Sequence, residues 1–451
     1  MNAIGIDYQR TLAVICLREG PCATAKIRSV GDGLRHLIPT AVLDEETWGS
    51  NALISSHPNR LWGKDYPTDE PWLEEKGAVL FWRGLYRRLY TYLGRMQPDS
   101  RNGYRTVISL PAAGYESADE QIRHFCQAAG LSDITTIPLT DAILCRWMTE
   151  QAHSESDERV VAVTAIGDTS SSVRAYRIQY RGAKYPGILS ASQIVSLSEI
   201  GQAWWIQNIL TLLEEHINQA LPFEEELGLR DAAIELGMRL GRVAPSQPVA
   251  WIGPLQKSLF TPLEVTRQEC ASWPEVTRLA RALPVAIRDA VLPIAERATP
   301  DILLLGAVGA AWPFAKDIAR GLVSEEQIWQ SLTPQEDGAW GAACWPEVGE
   351  SYTDVFQGHT VPAPEKPEPD RVHAPAPATN TKSSYEEIMK LVNQYSDESQ
   401  PAVDVFPFED TREDEDQYPL EHHSKFDPLD EEALADNDLQ SDVFPPPEQY
   451  R

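Results

Sequence analysis

A short apolar strand, a polar turn and a partner strand open this chain, and the same succession returns about 155 residues later. The first copy runs through residues 3–7 and 12–17, joined by Tyr8-Gln9-Arg10-Thr11. The second runs through residues 160–165, a turn over Gly167-Asp168-Thr169-Ser170-Ser171-Ser172, and residues 173–180. Residues 160–165 are mostly apolar and rich in β-branched residues, as a buried strand favours. Repetition at this spacing is too long for a solenoid and predicts a duplicated α/β unit.

The segments between the two copies fit that plan. Residues 105–110 read as a buried strand, 117–130 as a helix stopped by Gly130, 134–137 as a strand and 139–152 as a helix. After the second copy, helices are predicted over 200–220 and 224–242. Another is predicted over 275–298, kinked or split because Pro284 and Pro293 fall inside it. Residues 302–305 form an apolar strand ending at Gly306, followed by a helix over 312–321. Thr333, Pro334 and Glu336 stand as N-cap, N1 and N3 of a last helix, whose Gly338, Ala339, Gly341, Ala342 and Ala343 allow close packing. Trp204 and Trp205 lie in a predicted helix, where core packing is the expected use of an indole rather than ligand stacking.

Beyond about residue 348 the composition changes. Pro362, Pro364, Pro367, Pro369, Pro375 and Pro377 punctuate a segment too polar to bury a core, and acidic runs follow. Residues 357–451 hold 23 acidic and 7 basic side chains. The whole chain carries a net charge of −28, so phosphate backbones and anionic membrane surfaces would be repelled. Within this tail, residues 384–395 have helical apolar spacing in a stretch too short to be stable alone. The expected organisation is a lobe over 1–157, a second over 158–348 and a disordered tail over 349–451, with a final helix at about 333–346 packing back towards the first lobe.

The six cysteines show neither C-x-x-C nor zinc-ligand spacing, so buried reduced thiols are expected. The N-terminus has no basic region followed by a long apolar one, and the longest apolar run is too short for a bilayer. The cytoplasm is the expected compartment.

The order of these pieces resembles the actin-fold ATPase domain of DnaK-type heat-shock chaperones. Gly5-Ile6-Asp7 with Thr11 resembles their first phosphate loop, and Ile38-Pro39-Thr40-Ala41-Val42 their I-P-S-x-V strand. Residues 105–130 are similar to their V-I-T-V-P-A strand and following helix, and 161–178 to their second phosphate strand. Residues 302–313 are similar to their adenosine strand and 337–343 to their second connecting helix. The resemblance covers about residues 2–348 and implies a two-lobed actin-like ATPase fold built from duplicated RNase H-like units. It also implies ATP or ADP with Mg between the lobes, held by Asp7, Thr11, Gly167, Thr169, Glu235 and Gly306.

The hydrolytic chemistry of that family is not matched. Glycine-rich turns let backbone N–H groups approach phosphates, but here the turns read Gln9-Arg10-Thr11 and Gly167-Asp168-Thr169-Ser170. Asp168 would stand beside the phosphates at a cost of about 1–4 kcal/mol. The family's metal-organising Asp falls on Ala165, its water-orienting Lys near Leu53, its Glu on Leu139, and the second glycine of its adenosine strand on Ala307. Without those groups no evident means of activating water remains, and no catalytic residue or metal ligand is assigned.

The β-sandwich and helical lid of such chaperones are not matched either. Instead Asp-Val-Phe occurs at Asp354-Val355-Phe356, Asp404-Val405-Phe406 and Asp442-Val443-Phe444. Repeated apolar pairs beside an acidic residue suit weak, multivalent docking to other proteins. The expected function is a catalytically degenerate, DnaK-like scaffold or adaptor. A divergent ATP-binding ATPase or nucleotide-dependent switch is the alternative, and actin-like filament formation a third possibility.

Overall fold

The computed structural model describes residues 2–349 except 23, 25, 33–35, 45, 55–74, 97–102, 112–114, 132, 151–157, 180–184, 223–224 and 260. The acidic tail, with its three Asp-Val-Phe copies and the segment 384–395, lies outside the described residues.

The chain begins with strands β1 (Asn2–Tyr8), β2 (Leu12–Glu19), β3 (Lys26–Ser29) and β4 (Ile38–Pro39), then helices α1 (Ser50–Ile54) and α2 (Glu75–Met96). β5 (Tyr104–Leu110), α3 (Tyr115–Ala129), β6 (Ile134–Pro138) and α4 (Leu139–Glu150) follow. The second run holds β7 (Glu158–Ile166), β8 (Ser171–Gln179), β9 (Gly187–Ala191), β10 (Val195–Leu197), α5 (Gln202–Ile217) and α6 (Glu226–Leu240). It continues through β11 (Pro248–Ala250), β12 (Glu264–Thr266), α7 (Arg267–Cys270) and α8 (Pro274–Val291). β13 (Ile302–Gly306), α9 (Pro313–Ala319), β14 (Ile328–Gln330) and α10 (Asp337–Val348) close the described chain.

Two mixed sheets result, and they share one plan. In the first the order is β3-β2-β1-β5-β6; in the second it is β10-β8-β7-β13-β14. Each opens with an antiparallel hairpin, β1 with β2 and β7 with β8. Each adds two parallel strands beyond the hairpin's first strand, β5 and β6 in one case and β13 and β14 in the other. The register makes the two copies comparable residue by residue. Asp7 faces Ser109 across the parallel pair in the first sheet, and Ala165 faces Gly306 in the second.

Strand alternation divides the side chains between two layers. Ile4, Ile6 and Tyr8 of β1 pack with Phe81, Trp82, Leu85 and Leu89 of α2 and with Ile122 and Phe125 of α3. Val160, Ala162 and Ile166 of β7 pack with α5, α6 and α8. The opposite residues of β7, Val161, Val163 and Ala165, join α4 and α10 in a third apolar cluster. α10 lies against β1, β2, β5 and α4. That approach depends on Gly341, where a Cβ would stand 1.7 Å from the carbonyl oxygen of Ala142.

Three details differ from the sequence expectations. α2 is not among the predicted elements, although Ala78, Phe81, Trp82, Leu85, Leu89 and Leu93 recur at helical spacing and are all buried. α8 runs unbroken past Pro284. The carbonyl freed by the missing N–H belongs to Ala280, on the exposed side of the helix, where water can satisfy it. Before α10 the hydroxyl of Thr333 makes no capping bond; it accepts from Arg146 Nη2 at 3.1 Å, and Pro334–Glu336 form a 3₁₀ turn instead.

Candidate functional site

The turn of the first hairpin and the turn of the second meet each other directly. The first turn is closed by Gln9 N–H donating to the Leu12 carbonyl at 2.9 Å, the second by Gly167 N–H donating to Ser170 at 3.0 Å. Between them, the two turns exchange hydrogen bonds. The backbone N–H of Asp168 donates to Gln9 Oε1 at 2.6 Å. In return, Asp168 Oδ2 accepts from the backbone N–H of Thr11 at 2.8 Å and from its hydroxyl. The other end of the Gln9 amide donates to Asp7 Oδ2 at 2.8 Å. One amide therefore joins two carboxyl-bearing residues 161 positions apart, and Asp7, Gln9, Thr11 and Asp168 are all buried.

Asp7 sits at the end of β1 in a closed compartment. Ser109 Oγ donates to its Oδ1 at 3.1 Å. The start of α10 covers it at Gly338, where a Cβ would lie 2.5 Å from the Asp7 carboxyl and 2.6 Å from Leu139 Cδ1. Burial pushes the Asp7 pKa up to about 7, against the bonds from Gln9 and Ser109; nearby Asp168 raises it further. Burial also raises Asp168, opposed by the Thr11 bonds and by the guanidinium groups of Arg230 and Arg10.

The second turn is held from behind by the entry to α5. The N–H groups of Gln202 and Ala203 donate to the carbonyls of Gly167 and Asp168 at 3.1 and 2.9 Å. Thr169 is half-buried, and its carbonyl accepts from Trp204 Nε1 at 3.4 Å. The positions expected to carry the chemistry are apolar in fact as well as in sequence. Ala165 and Leu139 share one buried cluster with Ala142, Ile143 and Leu304. Leu53 falls within α1.

At the end of the parallel strand of the second sheet, Gly306 closes β13 next to Asp337, and a Cβ there would lie 2.7 Å from Asp337 Oδ2. Ala307 follows at φ +71°, a backbone conformation that favours glycine. The chain then turns into Trp312, whose buried ring lies against Gly237 of α6, beside Trp205 at 5.5 Å and Phe314 at 5.9 Å. Glu235 of α6 points elsewhere. Its side chain is 55% exposed, with Arg239 of the same helix 3.9 Å away. Asp7, Thr11 and Gly167 thus lie together, Thr169 and Gly306 border them, and Glu235 makes no described contact with them.

Two buried ion pairs brace the contact between the sheets, and neither was expected from the sequence. Arg174 of β8 donates from Nη1 to both oxygens of Asp141 on α4, at 2.8 and 2.9 Å, and Tyr176 adds its hydroxyl to Oδ1. Arg146 of α4 pairs with Asp337 of α10 at 2.7 Å and lies 4.2 Å over the Trp340 ring. Burial pushes Asp337 up to about 7, with Arg146 and Ser331 opposing it.

These residues do not fit Mg-triphosphate. The Thr11 N–H and hydroxyl, which a phosphate oxygen would need, are taken by Asp168. Asp7 is sealed between Gly338 and Leu139, and Ala165 supplies no oxygen. Among the described residues no group of three or more His, Cys, Asp and Glu side chains could hold a metal ion. No described helix is long and apolar enough to cross a membrane. No known protein family and no characterised protein matches the chain in sequence.

Proposed function

We propose that this chain is a DnaK-like protein of actin-like fold whose nucleotide cradle has become an internal latch, and that it serves as a protein-binding scaffold or adaptor. Two sheets of identical strand order, with α4 and α10 packed together between them, suit the duplicated plan of that fold. The observation that carries the reading is the Asp168 carboxyl group on the Thr11 donors. A side-chain carboxyl there answers the same donors that a phosphate oxygen would, so the two turns close on each other without a ligand. Trp312 likewise fills the contact between α6 and the end of β13. A latched body offers a fixed surface to partners, and the Asp-Val-Phe copies of the tail would recruit others.

The deciding experiment is thermal unfolding of the full chain with and without millimolar Mg-ATP. A ligand at about 100 times its dissociation constant adds about 2.7 kcal/mol, a readily measured rise in Tm. The latch reading expects no rise. A clear rise would replace it with the nucleotide-dependent switch, and ATP hydrolysis abolished by Asp7→Ala would make the protein a working ATPase.

A further inference from the structure

The connection leaving β2 carries Cys22 to the last turns of α10, where it meets Cys344, Glu347 and the buried guanidinium of Arg18. Arg18 Nη1 donates to Cys22 Sγ at 3.0 Å, to the Gly20 carbonyl at 3.0 Å and to Glu347 Oε2 at 2.7 Å. Its Nε and Nη2 are buried with no hydrogen-bond partner. Cys22 Sγ stands 3.8 Å from the Cys344 carbonyl oxygen, and its backbone N–H donates to Glu347 Oε2 at 2.8 Å. The Cys22 thiol therefore lies directly against Cys344.

The two thiols are not equivalent. Cys344 is fully buried, whereas Cys22 is only partly buried. The neighbouring Cys344 side chain, then the Arg18 charge, lower the Cys22 pKa against burial and the Glu347 carboxylate; Cys344 itself is raised. Burial holds Cys16, Cys126, Cys145 and Cys270 well above the ordinary thiol value. A partly exposed thiol with a cation 3.0 Å from its sulfur and a second cysteine beside it is the arrangement that favours selective oxidation.

We propose that Cys22 and Cys344 are a peroxide-sensitive thiol pair, with Cys22 as the attacking sulfur and Cys344 as the resolving one. The Cys22 thiolate attacks a hydroperoxide oxygen; the S–O bond forms, the O–O bond breaks, and the departing oxygen leaves as hydroxide or alkoxide and takes a proton from water. The Cys344 sulfur then attacks the sulfenic sulfur, the S–O bond breaks, and the Cys344 proton leaves with the hydroxide as water. Two thiols are oxidised by two electrons in total and one peroxide is reduced. The disulfide ties the connection after β2 to α10, fixing α10 on the first sheet.

The test uses the full chain and hydrogen peroxide. After brief treatment, free thiols are alkylated and the protein is digested without reductant for mass spectrometry. The expected product is one linked peptide pair, Cys22 with Cys344, with the other four cysteines alkylated. In Cys344→Ser the expected product is a Cys22 sulfenic acid trapped by dimedone. Alkylation of Cys22 should have a lower midpoint than alkylation of the other cysteines. Retention of all six thiols, first reaction at another cysteine, or linkage of another pair overturns the proposal, and the untreated wild-type fold is the reference in every arm.

Discussion

Asp168 Oδ2 accepts two hydrogen bonds from Thr11, a residue 157 positions earlier in the chain and in the other sheet. The bonds are buried, so no water competes for them, and they join the two hairpin turns directly. Each hydrogen bond to a charged or strongly polar group contributes about 1.5–3 kcal/mol, less the cost of burying the carboxyl. Asp168→Ala should therefore lower the unfolding free energy by about 2 kcal/mol. A double-mutant cycle with Thr11→Val in urea should give a coupling of about 1 kcal/mol; additive effects would mean the latch contributes nothing.

The sealed carboxyl of Asp7 makes stability depend on pH. Its pKa is about 7 in the folded chain and 3.8 as an ordinary carboxyl, so between those values the folded state holds a proton that the unfolded state lacks. Stability from this group is full below pH 4 and is lost as pH rises through 7. Asp337, raised to about 7 by burial, acts in the same direction. From pH 5 to pH 8, wild type should lose on the order of 1–3 kcal/mol more than Asp7→Asn in urea unfolding. Parallel losses would show that Asp7 stays ionised.

The Asp141–Arg174 pair should be costly to break from one side. Arg174→Ala leaves a buried carboxylate with only the hydroxyls of Tyr176 and, at 3.4 Å, Thr140, and the expected loss is about 3–5 kcal/mol. Tyr176→Phe removes one hydrogen bond and should lose about 1 kcal/mol. Chemical denaturation of both variants checks the ratio. Equal losses would mean that the guanidinium is not what neutralises Asp141.

The tail motifs predict binding without a change in stability. Phe406→Ala with Phe444→Ala should weaken capture of a partner at least several-fold by loss of multivalency, with an unchanged Tm. Capture measured side by side with wild type checks this, and undiminished binding would remove Asp404, Val405, Phe406, Asp442, Val443 and Phe444 from the partner-binding residues.

The hairpins at Asp7 and at Gly167 were legible because each is a local event, an apolar run reversed by a polar turn. The small residues of α10 were legible too, and Gly341 packs against Ala142 as close approach demands. The helix over residues 75–96 carried its signal in the spacing of Phe81, Trp82, Leu85 and Leu89 but had no motif to draw attention to it. The three-residue strands β10, β11, β12 and β14 gave no such signal. Strands that short are defined by the neighbour they pair with and not by their own pattern.

The sequence by itself determined the duplicated α/β plan, the change of composition at the acidic tail, and the apolar identity of Ala165 and Leu139. Only the tertiary structure decided that Asp168 turns onto Thr11, that Gln9 spans Asp7 and Asp168, and that Arg174 meets Asp141. Apart from the local Asp7–Gln9 bond, these contacts join residues 33 to 159 positions apart. Periodicity and turn chemistry act over a few residues, so they cannot say which distant polar groups will share a buried volume. Packing the two sheets about α4 and α10 removes water from that volume, and each buried donor must then find an acceptor among whatever the fold has brought beside it.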